Sequence, residues 1–237
     1  MSAPTKTVGV IGGMGPAATL DFFDRILKRT KAVRDEDHLR LIIDNNTKVP
    51  SRDAFSKDEG PSPGAAIAAS ARGLQDAGAD FIVMACNTAH AYAADISAAI
   101  TVPFISMIDE TVAVVAELRP ERVGLLAADP CLRANLYQNA FRKAGVELVL
   151  PSSDSQRTLQ ELINRIKSGD TGDTVRRSMA TLAKKLEAQG AEVIVAGCTE
   201  VPIVLTADDV DSELISSTDV LVEKSILFAG AELRPFA

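Results

Sequence analysis

The chain has no tryptophan, only two tyrosines and two histidines, and three cysteines in 237 residues. Each scarcity excludes something. An odd number of cysteines without framework spacing suits reduced thiols rather than a disulfide scaffold. No apolar run approaches the roughly 18 residues of a membrane span. Met1-Ser2-Ala3-Pro4-Thr5-Lys6 leads straight into a predicted strand without a signal-peptide core, so a cytoplasmic protein with no membrane partner is expected. Positive charge is short as well: 25 Lys and Arg stand against 32 Asp and Glu, a formal net charge of -7. No basic stripe is available to neutralise phosphates, which argues against nucleic acid and leaves a small molecule as the expected partner.

What is present is a segment that occurs twice. Gly78-Ala79-Asp80-Phe81-Ile82-Val83-Met84-Ala85-Cys86-Asn87-Thr88 is matched by Gly190-Ala191-Glu192-Val193-Ile194-Val195-Ala196-Gly197-Cys198-Thr199-Glu200. In each copy an acidic residue, Asp80 or Glu192, opens a short apolar run of buried-strand character, and a cysteine falls just past its carboxyl end. That edge of an open α/β sheet is where ligands bind. The repeat extends upstream, where Ile67, Ala71 and Leu74 correspond to Met179, Ala183 and Leu186 as helix stripes ending in Gly78 and Gly190, residues suited to a left-handed C-cap. Thr7-Val8-Gly9-Val10-Ile11-Gly12 likewise resembles Arg122-Val123-Gly124-Leu125-Leu126-Ala127.

The expected fold is therefore α/β, with two pseudo-symmetric lobes, each a mainly parallel sheet flanked by helices, and the site in the cleft between them. Residues 1–112 plus 213–237 are assigned to the first lobe and 113–212 to the second. Strands are predicted near 7–12, 39–44, 80–85 and 103–106, then 122–127, 146–150 and 192–197. Helices are predicted near 16–30, 64–77 and 88–99, then 130–144, 155–168 and 173–189. An apolar run at 213–216 and a helix at 218–230 return toward the first lobe. The stretch 45–64, with Pro50, Pro61 and Pro63, is the one long loop, a kind of segment that often carries function. Ordinary recurrence of βα units remains the alternative to a true repeat.

Three motifs, Gly12-Gly13-Met14-Gly15-Pro16-Ala17-Ala18-Thr19, Met84-Ala85-Cys86-Asn87-Thr88-Ala89-His90 and Gly197-Cys198-Thr199-Glu200-Val201-Pro202, together resemble the aspartate/glutamate racemases. The resemblance spans nearly the whole chain. It implies a two-lobe fold, a homodimer, catalysis without pyridoxal phosphate or other cofactor, and Cys86 and Cys198 as the acid/base pair. It also implies Arg52 and Lys167 as cations for the substrate, with Met14, Gly15, Asn87, Thr88, Thr199 and Glu200 around it. Two departures bear on substrate preference: Ala85 stands where the family more often has proline, and Ser51-Arg52-Asp53 where it often has Asp-Arg-Thr. Sister enzymes include a single-cysteine decarboxylase, disfavoured by the second cysteine, a maleate isomerase and hydantoin racemases.

Racemisation without a cofactor needs one sulfur as thiolate and the other as thiol. A free cysteine has a pKa near ~8.5, and lowering it by about 1.5 units takes roughly 2 kcal/mol. A helix N-terminus contributes only ~0.3–1 kcal/mol, so hydrogen bonds from Asn87, Thr88 and Thr199 are expected to supply the remainder. Two neighbouring thiolates repel, which favours a singly ionised pair.

Other readings compete residue by residue. Either cysteine taken singly is most often a small buried apolar residue. Cys86 and His90 are four apart and, with Cys198, offer three zinc ligands; no fourth is obvious, although Glu200 could serve, and the adopted reading has no metal. Gly13-x-Gly15-x-x-Ala18, with Asp44 closing the next strand, partly matches a dinucleotide fingerprint, but glycine N–H groups at a helix start equally suit a substrate carboxylate. Thr19 reads as a surface position of that helix, His38 as solvated, His90 as a hydrogen-bond partner near the site or a helix-surface residue, and Cys131 as incidental. Arg52 competes with a solvent ion pair to Asp53, and Lys167 with dipole complementation before Gly169. A two-lobe binding protein with structural cysteines is the remaining class.

Overall fold

The computed structural model describes residues 5–234. The expectation drawn from Met1 to Pro4 lies outside them. Two four-stranded parallel sheets form. The first contains β1 (Val8–Gly12), β2 (Leu41–Asn45), β3 (Phe81–Met84) and β4 (Phe104–Ile105) in the order β2-β1-β3-β4. The second contains β5 (Arg122–Leu126), β6 (Glu147–Val149), β7 (Val193–Ala196) and β8 (Glu213–Ser216) in the order β6-β5-β7-β8. The two orders are the same topology twice, so each sheet places its cysteine strand beside its opening strand.

The helices are α1 (Pro16–Arg29), α2 (Arg52–Phe55), α3 (Gly64–Asp76), α4 (Ala93–Ala99) and α5 (Met107–Leu118). They continue as α6 (Asp129–Arg133), α7 (Leu136–Ala144), α8 (Ser153–Lys167), α9 (Asp173–Ala188) and α10 (Ser217–Phe228). β1, β3 and β7 are buried along their whole lengths, as strands covered on both faces must be.

The repeat is repeated in packing as well as in pattern. A Cβ on Gly9 would lie 2.5 Å from Ile82 Cδ1 and 2.8 Å from Ala79 Cβ; on Gly124 it would lie 2.6 Å from Ile194 Cδ1 and 3.0 Å from Ala191 Cβ. In each lobe a glycine of the opening strand lets the helix that leads into the cysteine strand, through Leu74 or Leu186, seat directly on the sheet. Both helices end as expected on a left-handed glycine, Gly78 at φ 94° and Gly190 at φ 91°.

Several elements differ from the sequence expectation. β8 pairs with β7, so residues 213–216 belong to the second sheet rather than to the first lobe. The chain crosses back from α10 onward, where Leu221, Val222 and Ile226 join Val8, Val10 and Phe81 in the first core and Leu233 bridges to Thr30. The helix expected over 130–144 is broken, because Asn135 adopts a left-handed conformation between α6 and α7. The loop over 45–64 carries the short α2, capped by Ser51, whose hydroxyl accepts from the Ala54 N–H. Residues 88–92 form a 3-10 turn before α4, and α5 occupies a segment assigned no element from sequence.

Candidate active site

Each cysteine leaves its strand through the same backbone exit. The Ala85 N–H donates to Ile11 O at 3.1 Å and the Gly197 N–H to Leu126 O at 2.9 Å, one residue past the ends of β3 and β7. A 3-10 turn follows each cysteine, Thr88–Tyr92 in one lobe and Val201–Ile203 in the other. The tips of the two cysteine strands therefore meet at one cleft of about 100 Å³, lined by both Cys86 and Cys198. Met14, Arg52, Asn87, Thr88, Lys167, Thr199 and Glu200 line it as well. Gly15 stands at its edge, where a Cβ would lie 3.8 Å from Glu200 Oε1.

The glycine-rich turn is held by Thr19, which is buried rather than on the surface. Its hydroxyl accepts from the Gly13 N–H at 2.9 Å and donates to Gly15 O at 3.1 Å. The Gly13 N–H is thus occupied internally, and the turn reaches the cleft wall through Met14.

Two cations reach the cleft. Arg52 points its guanidinium at backbone carbonyls, Pro50 O at 3.1 Å and Met14 O at 3.3 Å. Asp53 is not its partner: that carboxylate is taken by Arg133 at 2.6 Å and Lys57 at 2.8 Å. Lys167, at the last turn of α8, keeps contact with solvent. Burial of part of its side chain opposes the charge, yet Glu200, Cys198 and Cys86 outweigh that and hold its ammonium above the ordinary range.

The sulfurs sit in unequal surroundings. Burial, with Glu200 adding to it, pushes the Cys86 thiol up, against the pull of Arg52, the Ala89 N–H and Lys167. Cys198 is pushed well above the ordinary range by burial and by Glu200, with Lys167 opposing. Its thiol donates to Glu200 Oε2 at 3.0 Å. This corrects the expectation that neighbouring hydrogen bonds lower both thiols. The Asn87 amide is engaged with Ser217 and Tyr137, and the Thr199 hydroxyl donates to Glu200 at 3.2 Å rather than to a sulfur. Removal from water, which disfavours the charged form, dominates both.

His90 is buried with both ring nitrogens occupied. Met107 N–H donates to Nε2 at 2.9 Å, so Nδ1 carries the proton and donates to Cys86 O at 2.8 Å. It fixes the backbone of the cysteine turn, and a zinc ion would have to displace one of these bonds. Among the described residues no group of three or more His, Cys, Asp and Glu is arranged to hold a metal. Cys131 is buried in the second lobe's core, its thiol pushed up to about 12 by burial and by Cys86.

Sequence reading missed part of the lining. Gln160 and Asn164 project into the cleft from α8 together with Lys167. Their spacing, four and then three residues, places all three on one helix face, and that was the available signal. Ser51, Asp53, Ala128 and Pro130 complete the wall.

The chain matches the family model described as Asp/Glu/Hydantoin racemase over residues 11–225. It is 28% identical over 226 residues to the broad specificity amino-acid racemase RacX of Bacillus subtilis, covering 92% of this chain and 96% of that protein. Among solved structures, an aspartate racemase from Picrophilus torridus superposes with TM-score 0.88 at 29% identity, covering 97% of this chain and 96% of the other. A Francisella tularensis glutamate racemase solved with D-glutamate, at 22% identity and TM-score 0.66, shares the fold. Among the described residues no helix is long and apolar enough to cross a membrane.

Proposed function

The chain belongs to the Asp/Glu/hydantoin racemase family, whose amino-acid racemases are isomerases, and from that membership we propose that it racemises aspartate or glutamate by proton transfer between Cys86 and Cys198. The observation that carries this reading is the convergence of two equivalent strand-end cysteines and two cations, Arg52 and Lys167, on one small cleft. One sulfur removes the Cα proton and the other returns a proton to the opposite face, which inverts the centre without a cofactor. Both steps involve weak acids, so the gain comes from holding the reacting atoms in place and from cations that stabilise the charge developing on the α-carboxylate.

Arg52 provides a planar fork for one carboxylate and Lys167 a point charge for a second. An amino acid with one carboxylate would leave one cation unmatched, which favours a dicarboxylic substrate. Similarity to a broad-specificity racemase is the ground for a second reading, in which the cleft accepts neutral side chains. A panel of L-amino acids followed by chiral chromatography separates the two. Conversion confined to aspartate and glutamate supports the first, and comparable rates for neutral amino acids support the second. The active assembly is proposed to be a homodimer, checked by light scattering, with maleate isomerisation as a further assay for a sister activity.

A further inference from the structure

The site is symmetric in backbone but not in charge. The residue two positions after Cys198 is Glu200, 2% exposed; the residue two positions after Cys86 is Thr88, which carries no charge. Glu200 Oε2 accepts from both the Cys198 thiol and the Thr199 hydroxyl, so its carboxylate is aimed at the sulfur rather than at solvent. On the other side, Arg52, the Ala89 N–H and Lys167 favour a charge on Cys86; Glu200 opposes it there too, but no Glu200 hydrogen bond reaches that sulfur among the described contacts.

We propose that Glu200 is a catalytic residue: hydrogen-bonded to the Cys198 sulfur, it keeps that thiol protonated between turnovers and leaves Cys86 as the sulfur that begins as thiolate. This rests on the racemase reading above and assigns the two sulfurs unequal starting roles. The charged and titratable groups facing Cys198 pull in both directions, and Glu200 is the one hydrogen-bonded to its sulfur. Glu200 from its own segment disfavours a negative charge there, while Lys167 from α8 favours one on Cys198 as it does on Cys86. Tyr137 from α7 is buried and held neutral, its phenol raised by burial and by the cysteines, and Cys86 from the facing strand repels a second thiolate.

The protons balance. The Cys86 thiolate takes the Cα proton and becomes a thiol, and the Cys198 thiol protonates the opposite face and becomes a thiolate. The pair resets when one proton passes from Cys86 to Cys198, with Glu200 hydrogen-bonded at the receiving sulfur. No electron changes hands.

The test is iodoacetamide labelling of the intact enzyme across pH 6–10, with the extent at each cysteine read by peptide mass spectrometry, for wild type, Glu200→Gln and Glu200→Asp. In the wild type Cys86 labels ahead of Cys198. In Glu200→Gln the Cys198 to Cys86 labelling ratio rises about tenfold, the change in thiolate fraction that one pKa unit produces. Glu200→Asp, which keeps the charge, stays nearer the wild-type ratio and covers the case in which the glutamine variant fails to fold. An unchanged or lower ratio in a folded Glu200→Gln variant overturns the proposal. Labelling is read without turnover, so this result stands apart from a failure of the racemase reading, which isotope exchange at Cα tests separately.

Discussion

Tyr137 Oη donates to Asn87 Oδ1 at 2.6 Å, so the residue that follows the first cysteine is held by a side chain from the other lobe. The contact continues. Asn87 Nδ2 donates to Ser217 Oγ at 3.0 Å, and Ser217 Oγ donates to Ala196 O at 2.8 Å, two residues before the second cysteine. A buried, fully paired chain of this kind fixes the two strand tips relative to each other. Removing the tyrosine hydroxyl leaves a buried acceptor unsatisfied, which costs about 1–3 kcal/mol. Tyr137→Phe is therefore expected to lower stability by that amount in urea denaturation. It should also lower kcat more than it raises KM, since the shift is between the reacting sulfurs.

Arg52 and Arg133 act on the same helix, α2, with different expected readouts. Arg133, on α6 of the second lobe, donates to Asp53 at 2.6 Å and to Ser56 Oγ at 2.8 Å, tying α2 across the cleft. Both partners of that ion pair are substantially solvated, and such pairs contribute about 0.2–1 kcal/mol. Arg133→Ala is expected to raise KM by no more than about fivefold, an effect that shrinks with added salt in the wild type. Arg52→Ala removes a charged hydrogen-bond donor from the substrate site, worth about 1.5–3 kcal/mol, or roughly 10- to 150-fold in kcat/KM. Equal effects of the two variants in steady-state racemisation would contradict the distinction.

Much of this was legible in the chain because the repeat constrains it twice. The β-branched runs before Cys86 and Cys198, the helix stripes and the terminal glycines each predict one element, and their agreement between halves fixed the two-lobe architecture. What escaped depended on contacts distant in sequence. Nothing local to Glu213–Ser216 reveals that it pairs with β7 rather than packing with the first lobe. Helix α5 does carry a local signal: Ser106 caps it by accepting from the Asp109 N–H at 3.2 Å, with Asp109 and Glu110 in the first turn. Thr19 is buried because Gly12, lacking a Cβ, leaves room for its side chain and the Gly13 N–H bonds its hydroxyl, neither of which the local sequence reveals. In the site, the cysteines were legible from position, whereas the engagement of Asn87 with Tyr137 and Ser217, and of Thr199 with Glu200, appears only in three dimensions.

His90 gives the fold a pH dependence of definite sign. Burial drops its pKa from 6.5 to about 4, because removal from water disfavours the charged ring by more than Cys86 O and Asp109 favour it; the neutral ring also accepts from the Met107 N–H, which a protonated one cannot. The unfolded chain binds the proton first, so this contribution is complete above pH 6.5 and is lost as pH falls toward 4. The loss reaches up to about 1.4 kcal/mol per pH unit and about 3 kcal/mol in all. Urea denaturation at pH 7, 6 and 5 should show that slope, and His90→Gln should flatten it. A wild-type stability unchanged between pH 7 and 5 would contradict the neutral-ring assignment.

The central claim is that Cys86 and Cys198 exchange protons with one Cα from opposite sides. The most direct measurement is incorporation of solvent deuterium at Cα when the protein is incubated with L-aspartate or L-glutamate in heavy water. Proton NMR and chiral chromatography follow the wild type, Cys86→Ala and Cys198→Ala. The expected result is a D-product carrying deuterium at Cα in the wild type, and loss of racemisation in both variants. A wild type that exchanges no Cα proton with either substrate, or a variant that racemises at the wild-type rate, would contradict it.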